Sequence, residues 1–467
     1  MSQKEIDPSV GAAVQAALTK LGCVGWQLIS ATRLSGGAIN QNFLIELLDD
    51  AKQNVRWVMR RGQSAGIPGT HDRSDEYALF EFAHTLGLTV PRPIALVQTD
   101  DGLVSFFEFR SGQADGRKLV QWLGGESEAS TRTAPAITRQ LGVELGRLHG
   151  TKASEMGAQT LAKTLGPRPA HSIEAAMVLV EKSFACVRQP TSYLTYATEQ
   201  VLQEGRQLAS QLTGSAASVC HNDFRLGNLM MDPESGRLTA VLDWEFAAWG
   251  DVMADIGWLT ASCWRFGGAM PVAGFGELDA LVSGLSSTMD ATGAQRLQTR
   301  LQNELAFWQR YAHLRWAIIA AQQGERAVPG DVEALELVIT GCMSASLAEP
   351  VVSFYKGQDV VGMAKATTIT TNTATNTTTD ADGSAGISSD PSTADRLLAE
   401  AAAHLKLHLA PQLSGAQKYS ALMAANAIRL ARGALASASY RAAAKNADQD
   451  AVMDDLIRDL QVWSFKG

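Results

Sequence analysis

The chain has 467 residues, 46% hydrophobic and 19% charged, with a formal net charge of −8 at pH 7. At roughly 100–200 residues per domain this length calls for several units, and the acidic balance excludes a general nucleic-acid binder, whose phosphate contacts need clustered cations. No apolar run approaches the roughly 18–20 residues that span a bilayer, the start Met1-Ser2-Gln3-Lys4-Glu5-Ile6-Asp7-Pro8 lacks the apolar core of a signal peptide, and the five cysteines show no CxxC spacing, so a cytoplasmic protein without membrane, disulfides or structural zinc is expected.

Pro8 to Leu21 reads as a helix, followed by three strands, Gln27–Leu34, Gln41–Leu48 and Val55–Arg61. Ser35-Gly36-Gly37-Ala38-Ile39-Asn40 and the polar run Asp49 to Asn54 supply the turns between them. A helix is predicted over Arg73–Leu86, stopped by Gly87 and by Val90-Pro91-Arg92-Pro93. Two more strands, Ala95–Gln98 and Leu103–Phe109, complete a small sheet. After Gly112 the pattern turns helical, and Ile137, Leu141, Leu145 and Leu148 mark an amphipathic helix ending at His149-Gly150. Only Ser218 to Leu242 interrupts that character, where Leu229–Met231 and Leu238–Leu242 flank the turn Pro233-Glu234-Ser235-Gly236. A β-rich half joined to a helical half predicts an α+β architecture with a cleft between two lobes.

From Thr367 to Thr379 nine of thirteen residues are Thr, and Asp380 to Pro391 is rich in Ser, Gly and Asp. Such a stretch cannot bury enough apolar surface to offset the entropy of ordering, so residues 361–392 are expected to be a flexible linker. Beyond it, Leu397, Leu398, Ala401, Leu405 and Leu409, then Leu422, Ala425, Ile428 and Leu430, predict a small helical domain over 393–467. His404 and His408 have the i, i+4 spacing of a metal pair but no third ligand nearby, and read as solvated or packing histidines.

The chemistry concentrates in His221-Asn222-Asp223-Phe224-Arg225-Leu226-Gly227-Asn228. It follows the phosphoryl-transfer pattern H-R-D-x-x-x-x-N, in which the Asp faces the acceptor hydroxyl and the Asn holds magnesium. One loop thereby presents a carboxylate to the nucleophile and, a turn later, a neutral oxygen to the metal. Arg225 places a cation within reach of the transferring phosphoryl oxygens. A hairpin later, Val241-Leu242-Asp243-Trp244-Glu245 delivers a second oxygen ligand, Asp243, from an apolar strand; Glu245 reads equally as a helper, or as a residue at the surface or just behind the ligands. The nucleotide side offers Ser35, Gly36 and Gly37, whose backbone N–H groups could approach phosphates. Arg60 stands where a kinase carries its phosphate-contacting lysine, with Glu76 as its partner, while strand register decides between Arg60 and the adjacent Arg61. Glu108, Phe109 and Arg110 lie where a hinge would offer backbone groups to adenine.

Taken together these residues resemble the aminoglycoside phosphotransferase superfamily, with its protein-kinase-like fold. The resemblance runs from about Leu34 to about Ala348 and rests on Leu34-Ser35-Gly36-Gly37, Trp57-Val58-Met59-Arg60, Glu76, the run His221 to Met230, and Leu242-Asp243-Trp244-Glu245. Trp249-Gly250-Asp251-Val252-Met253-Ala254-Asp255-Ile256-Gly257-Trp258 completes it. The form is closest to the branch related to kinase domains fused to, or encoded beside, acyl-CoA dehydrogenases.

The resemblance implies a bilobal fold, with residues 1–107 as nucleotide-binding N-lobe, 108–112 as hinge and 113–360 as helical C-lobe. It implies ATP and magnesium as cofactors, Asp223 as catalytic base, and Asn228 and Asp243 as metal ligands. The acceptor would be a small-molecule hydroxyl, suggested to be that of a hydroxylated acyl or acyl-CoA metabolite. Two alternatives are an aminoglycoside phosphotransferase and a nucleotide-binding scaffold acting through the C-terminal helices, which are also a candidate self-association surface. Asn222 and Val252 depart from the family pattern, where Gly and Pro are commoner. Asp251 reads as a helix cap and Asp255 as an anchor of backbone N–H groups, with acids of the acceptor site as the other reading. Six of ten tryptophans fall between 244 and 316, read as core packing with an apolar acceptor pocket as the other reading.

Overall fold

The computed structural model describes residues 6–34, 40–62, 66–125, 127–150, 158–211, 216–232, 234–328, 334–357, 398–399 and 401–443. Pro8 opens α1 (Pro8–Leu21) at a position where its missing N–H costs nothing. Asp7 caps the helix by accepting the Ser9 N–H at 2.9 Å, and Gly22 ends it in the left-handed region. Val10, Ala13, Val14, Ala17 and Leu18 form its buried stripe.

That stripe packs on one face of an antiparallel five-stranded sheet made of β1 (Gln27–Arg33), β2 (Asn40–Leu48), β3 (Asn54–Gly62), β4 (Pro93–Thr99) and β5 (Gly102–Glu108), in spatial order β1-β2-β3-β5-β4. The two-residue period of the strands does the sorting. Phe43, Ile45 and Leu47 of β2, Trp57 and Met59 of β3, Ala95 and Val97 of β4, and Val104 and Phe106 of β5 join α1 in one core. Fully burying an aliphatic side chain of this size is worth about 1.5–3 kcal/mol. Val58 and Arg60 therefore face the other way. On that second face Phe107 meets Phe80 and Tyr77 of α2 (Arg73–Thr85) at centroid distances of 4.6 and 5.8 Å. Asp72 caps α2 through the Asp75 N–H at 2.9 Å, a bond worth about 1 kcal/mol.

From Gly116 the chain is mostly helical: α3 (Gly116–Leu123), α4 (Glu128–His149), α5 (Ala158–Thr164), α6 (Ser172–Ala185), α7 (Ser192–Gln211), α8 (Val252–Thr260), α9 (Leu278–Ser286), α10 (Ala291–Glu325), α11 (Ala334–Tyr355) and α12 (Gly415–Ala443). Short strands interrupt it: the predicted hairpin, β7 (Leu229–Asp232) with β8 (Arg237–Val241), and a pair not predicted, β6 (Ser218–Cys220) with β9 (Ala248–Gly250). Three residues are too few to display a period, which is why β6 and β9 escape a reading by pattern. The α+β architecture, a small sheet followed by a helical body, is as expected.

The chain divides into two compact units, Met1–Arg188 with Thr198–Ile319, and Gln189–Ala197 with Ala320–Gly467. Both the sheet and the Asp223 loop belong to the first. In the second, α11 has the length and apolar composition to cross a membrane, with a mean hydropathy of 1.5 over Glu336–Tyr355. This qualifies the expectation that no stretch qualifies: Glu336 and Glu349 break the apolar run, yet the average passes. Leu347, Ala348, Val351 and Val352 of this helix are buried within the protein. The expected linker lies outside the described residues. Of the expected C-terminal helical domain, the described part includes a wide π-type turn over Leu405–Leu409 and α12. The rings of His404 and His408 sit 5.4 Å apart.

Candidate active site

The loop between β6 and β7 carries the residues from His221 to Asn228, and its shape is held from below by α8. Asp255, fully buried on that helix, accepts the backbone N–H groups of His221 at 2.9 Å and Asn222 at 2.7 Å. Its Oδ2 also accepts from His149 Nε2 at 3.0 Å. Burial pushes the Asp255 carboxyl up, but the His149 and His221 contacts outweigh it and hold it below the usual carboxylate range. His149, Cys220 and Asp255 bring ligand-type atoms within 4.8 Å of one another. The Asp255 oxygens are already spent on loop N–H groups and His149, so this cluster is a brace. Asp251 caps α8 by accepting the Met253 N–H at 2.9 Å, and Arg300 pairs with it at 3.0 Å. The capping and anchoring roles read from sequence are thus what these two acids do.

Asn222 lies at φ 61, in the left-handed region. Glycine enters that region freely and asparagine more readily than most residues. The departure from the family pattern therefore keeps the same backbone, and the side chain adds a tie: Arg315 Nη1 donates to Asn222 Oδ1 at 2.8 Å. Val252, the other departure, is the first residue of α8 after its Asp251 cap. Proline is favoured there without being required.

Asp223 is nearly enclosed, with 9% of its side chain exposed. Its Oδ1 accepts from Arg225 Nε at 2.9 Å and from Trp258 Nε1 at 3.1 Å; its Oδ2 accepts from Asn228 Nδ2 at 2.5 Å. Burial, reinforced by the nearby Asp243 charge, raises its pKa above the usual carboxylate value against the pull of Arg225. His221 is the first residue of the loop, and burial lowers its pKa. Its Nδ1 accepts the Asp223 N–H at 3.2 Å, so its Nε2 carries the hydrogen and donates to Leu242 O at 3.0 Å.

Asp243 follows β8, and the Leu242 N–H donates to Asn228 O at 2.8 Å. The hairpin thus brings Asp243 and Asn228 to one end, as the spacing predicts. Asp243 sits at φ 66, a conformation that costs a non-glycine residue about 1–3 kcal/mol and needs its surroundings to hold it. Arg60 Nη2 holds it, at 2.7 Å from Asp243 Oδ1, while Nη1 meets Glu76 Oε1 at 2.7 Å. Burial would raise the Asp243 pKa, but the Arg60 charge and hydrogen bond bring it below the ordinary value. Arg73 adds a second cation to Glu76 at 3.1 Å. Strand register therefore turns Arg60 toward Glu76 and Asp243. Arg61 turns to the α1 face, donating to Ser9 Oγ at 2.8 Å and Gln41 Oε1 at 2.9 Å. Glu245 is not a simple surface acid: burial and the Asp243 charge push its pKa up to about 8.

At the start of the helical part the Glu108 N–H donates to Arg92 O at 2.9 Å and the Phe109 N–H to Arg56 O at 3.1 Å. Those two donors are spent within the sheet region. Arg110 pairs with Glu108 at 3.1 Å on the surface. Ser35, Gly36 and Gly37 lie outside the described residues. Asn228 Oδ1 and Asp243 Oδ2 have no hydrogen-bond partner among the described residues, and they are hard oxygen donors of the kind magnesium takes. The donor set fits that ion.

The tryptophans follow the packing reading. Trp244, Trp258 and Trp308 are fully buried, and Trp258, Trp264 and Trp316 stack at 5.4 and 4.9 Å with Ile67, Ala261, Ala312 and Ile319 in a second core. Arg225 lies 4.3 Å above the Trp264 ring. Sequence reasoning missed the Trp258–Asp223 bond, the Arg315–Asn222 tie and His149 as a partner of Asp255. Trp258 had a signal: it ends the family run from Trp249, one helical turn after Asp255.

The model of the phosphotransferase enzyme family matches residues 30–287. Among curated proteins, the chain is similar to acyl-CoA dehydrogenase family member 11 of Gallus gallus, 22% identical over 242 residues, 50% of this chain and 28% of that protein. It is also similar to acyl-CoA dehydrogenase family member 10 of Mus musculus, 25% identical over 134 residues, 28% of this chain and 12% of that protein. The chain thus covers less than a third of either relative. Among solved structures, a Ralstonia eutropha protein assigned as an aminoglycoside phosphotransferase is 20% identical with a TM-score of 0.50, covering 74% of this chain and 98% of that one. Plasmodium vivax ethanolamine kinase is 15% identical with a TM-score of 0.50, covering 76% and 91%. Likeness at these identities speaks for the fold, which is the kinase-like bilobal one.

Proposed function

The chain belongs to the phosphotransferase enzyme family, and on that premise we propose that it is a small-molecule kinase moving the γ-phosphoryl group of ATP to an acceptor hydroxyl. Asp223 is the catalytic base. It takes the hydroxyl proton as the acceptor oxygen attacks phosphorus, and ADP leaves. Asn228 and Asp243 hold magnesium, which when bound neutralises phosphate charge. Asn228 suits both tasks at once, since its Nδ2 donates to Asp223 while its Oδ1 stays open to a cation. Arg60, oriented by Glu76, and Arg225 supply positive charge for the phosphates. Residues 35–37 approach them through backbone N–H groups, and the segment 108–110 receives the base. Residues 1–107, 108–112 and 113–360 act as N-lobe, hinge and C-lobe, followed by the linker 361–392 and a helical domain over 393–467.

The observation that carries this reading is a single connected constellation: Asp223 bonded to Asn228, Asn228 tied by its backbone to Leu242, and Asp243 held by Arg60. A hydroxylated acyl or acyl-CoA metabolite is the acceptor we favour, supported by the similarity to the two acyl-CoA dehydrogenase family members. Purified protein with magnesium and ATP should release ADP in response to a hydroxy acid or its CoA ester in a screen that also contains aminoglycosides. A response to aminoglycosides alone would reverse the acceptor assignment, and no response to any hydroxyl compound would count against the kinase reading.

A further inference from the structure

A carboxylate offers about four lone-pair positions, two on each oxygen. On Asp223, Arg225 Nε and Trp258 Nε1 fill both positions of Oδ1, and Asn228 Nδ2 fills one of Oδ2. One position is left, on Oδ2. We propose that Trp258 is a positioning residue that, with Arg225, closes Oδ1 and reserves Oδ2 as the atom that receives the acceptor proton. This rests on the reading of Asp223 as base. In the step itself the acceptor O–H bond breaks, its proton passes to Oδ2, and the oxygen–phosphorus bond forms. The bond from phosphorus to the bridging oxygen of ADP breaks, with its electron pair leaving on ADP.

The indole is built as a fixed donor. Asp255 and Trp258 stand three residues apart on α8, hence on the same helical face. The first braces the loop's backbone through the His221 and Asn222 N–H groups, and the second braces its side chain. Trp258 is 1% exposed, with Arg315 5.4 Å above its ring and Trp264 at 5.4 Å. It cannot turn without disturbing both. A donor held in this way costs no reorganisation when the reaction occurs. The bond is also not a by-product of burial. The indole N–H groups of Trp244 and Trp264 are buried in the same region without a partner among the described residues, whereas that of Trp258 finds the one carboxylate that matters.

The test uses the full chain. In the wild-type protein the Trp258 indole ¹H–¹⁵N resonance should lie downfield and move upfield in Asp223→Ala; an unmoved resonance overturns the proposal. Kinetics use ADP release from magnesium–ATP with 3-hydroxybutyryl-CoA as acceptor probe. Trp258→Phe keeps an aromatic ring and loses the donor, and its kcat should fall about tenfold with an unchanged KM for ATP, the split expected of an interaction made at the reacting centre. Trp308→Phe is the packing control, because Trp308 is equally buried and donates to Glu304 at 3.2 Å, away from Asp223. It should lose stability while keeping kcat. Trp258→Phe matching Trp308→Phe in kcat, with Asp223→Ala inactive, overturns the role of Trp258 alone; an active Asp223→Ala overturns the base itself. Should Trp258→Phe not fold, the wild-type resonance still decides.

Discussion

Arg60 and Asp243 meet at 2.7 Å, joining the third strand of the sheet to the second residue after β8, 183 positions later. The same guanidinium spends its other nitrogen on Glu76 at 2.7 Å. Burial works against the charge of Arg60, but the two carboxylates outweigh it and keep the group fully protonated.

Arg60→Lys keeps a positive charge and loses the planar fork that reaches two carboxylates at once. It should raise the KM for ATP and lower kcat, together roughly tenfold or more in kcat/KM. Arg60→Ala should in addition destabilise the protein by about 3–5 kcal/mol, since Glu76 would be left buried with weakened pairing. Chemical denaturation of both variants checks the second figure. Equal stability of wild type and Arg60→Ala would mean that the ion pair is not formed in solution.

Asp223 and Asp243 should separate catalysis from nucleotide binding. Asp223→Ala should lower turnover by roughly 10²–10⁴-fold, the usual contribution of a general base, with nucleotide affinity close to wild type. Asp243→Ala should instead weaken magnesium–ATP binding in calorimetry. Unchanged binding would remove Asp243 from the metal site.

Asn228→Asp probes the short contact to Asp223. It replaces a donor 2.5 Å from a carboxylate oxygen by a second carboxylate, and like charges at that distance cannot both ionise. Turnover should collapse at neutral pH even though the new side chain is a good magnesium ligand. An active Asn228→Asp would show that the Asn228–Asp223 bond is dispensable.

Asp255 gives a pH signature. Its folded pKa lies below its ordinary value, so its contribution is in place above the unfolded pKa of about 4 and is lost as pH falls through the folded pKa. Asp255→Asn lacks that titration. Wild type should be the more stable protein at pH 7, and the gap should narrow in acid, measured as the difference in unfolding free energy from pH 7 to pH 3. A gap independent of pH would show that Asp255 acts only through its shape.

Much of the site was legible because it is local. Asp223 and Asn228 stand five positions apart on one loop, and Asp243 comes a hairpin later, so side-chain type and spacing alone suggest convergence. The strands and helices of the sheet half were legible for a related reason: alternation such as Phe43, Ile45 and Leu47 imposes a face wherever the chain is extended. The short β6 and β9 carry too few residues to show a period.

Choices between equivalent side chains were not legible. Arg60 and Arg61 are neighbours of identical chemistry, and only the pairing of β3 with β2 and β5 sends one to Asp243 and the other to α1. Likewise ten tryptophans look alike in sequence, while one indole N–H reaches Asp223. The pKa of Glu245, pushed up to about 8, depends on burial and on the proximity of Asp243, quantities that exist only once the chain is folded. Covalent order therefore determined which groups this protein owns and the rough period in which they appear. Direction, enclosure and partnership came from packing, because hydrogen bonds and charges act over a few ångströms of space whatever the distance along the chain.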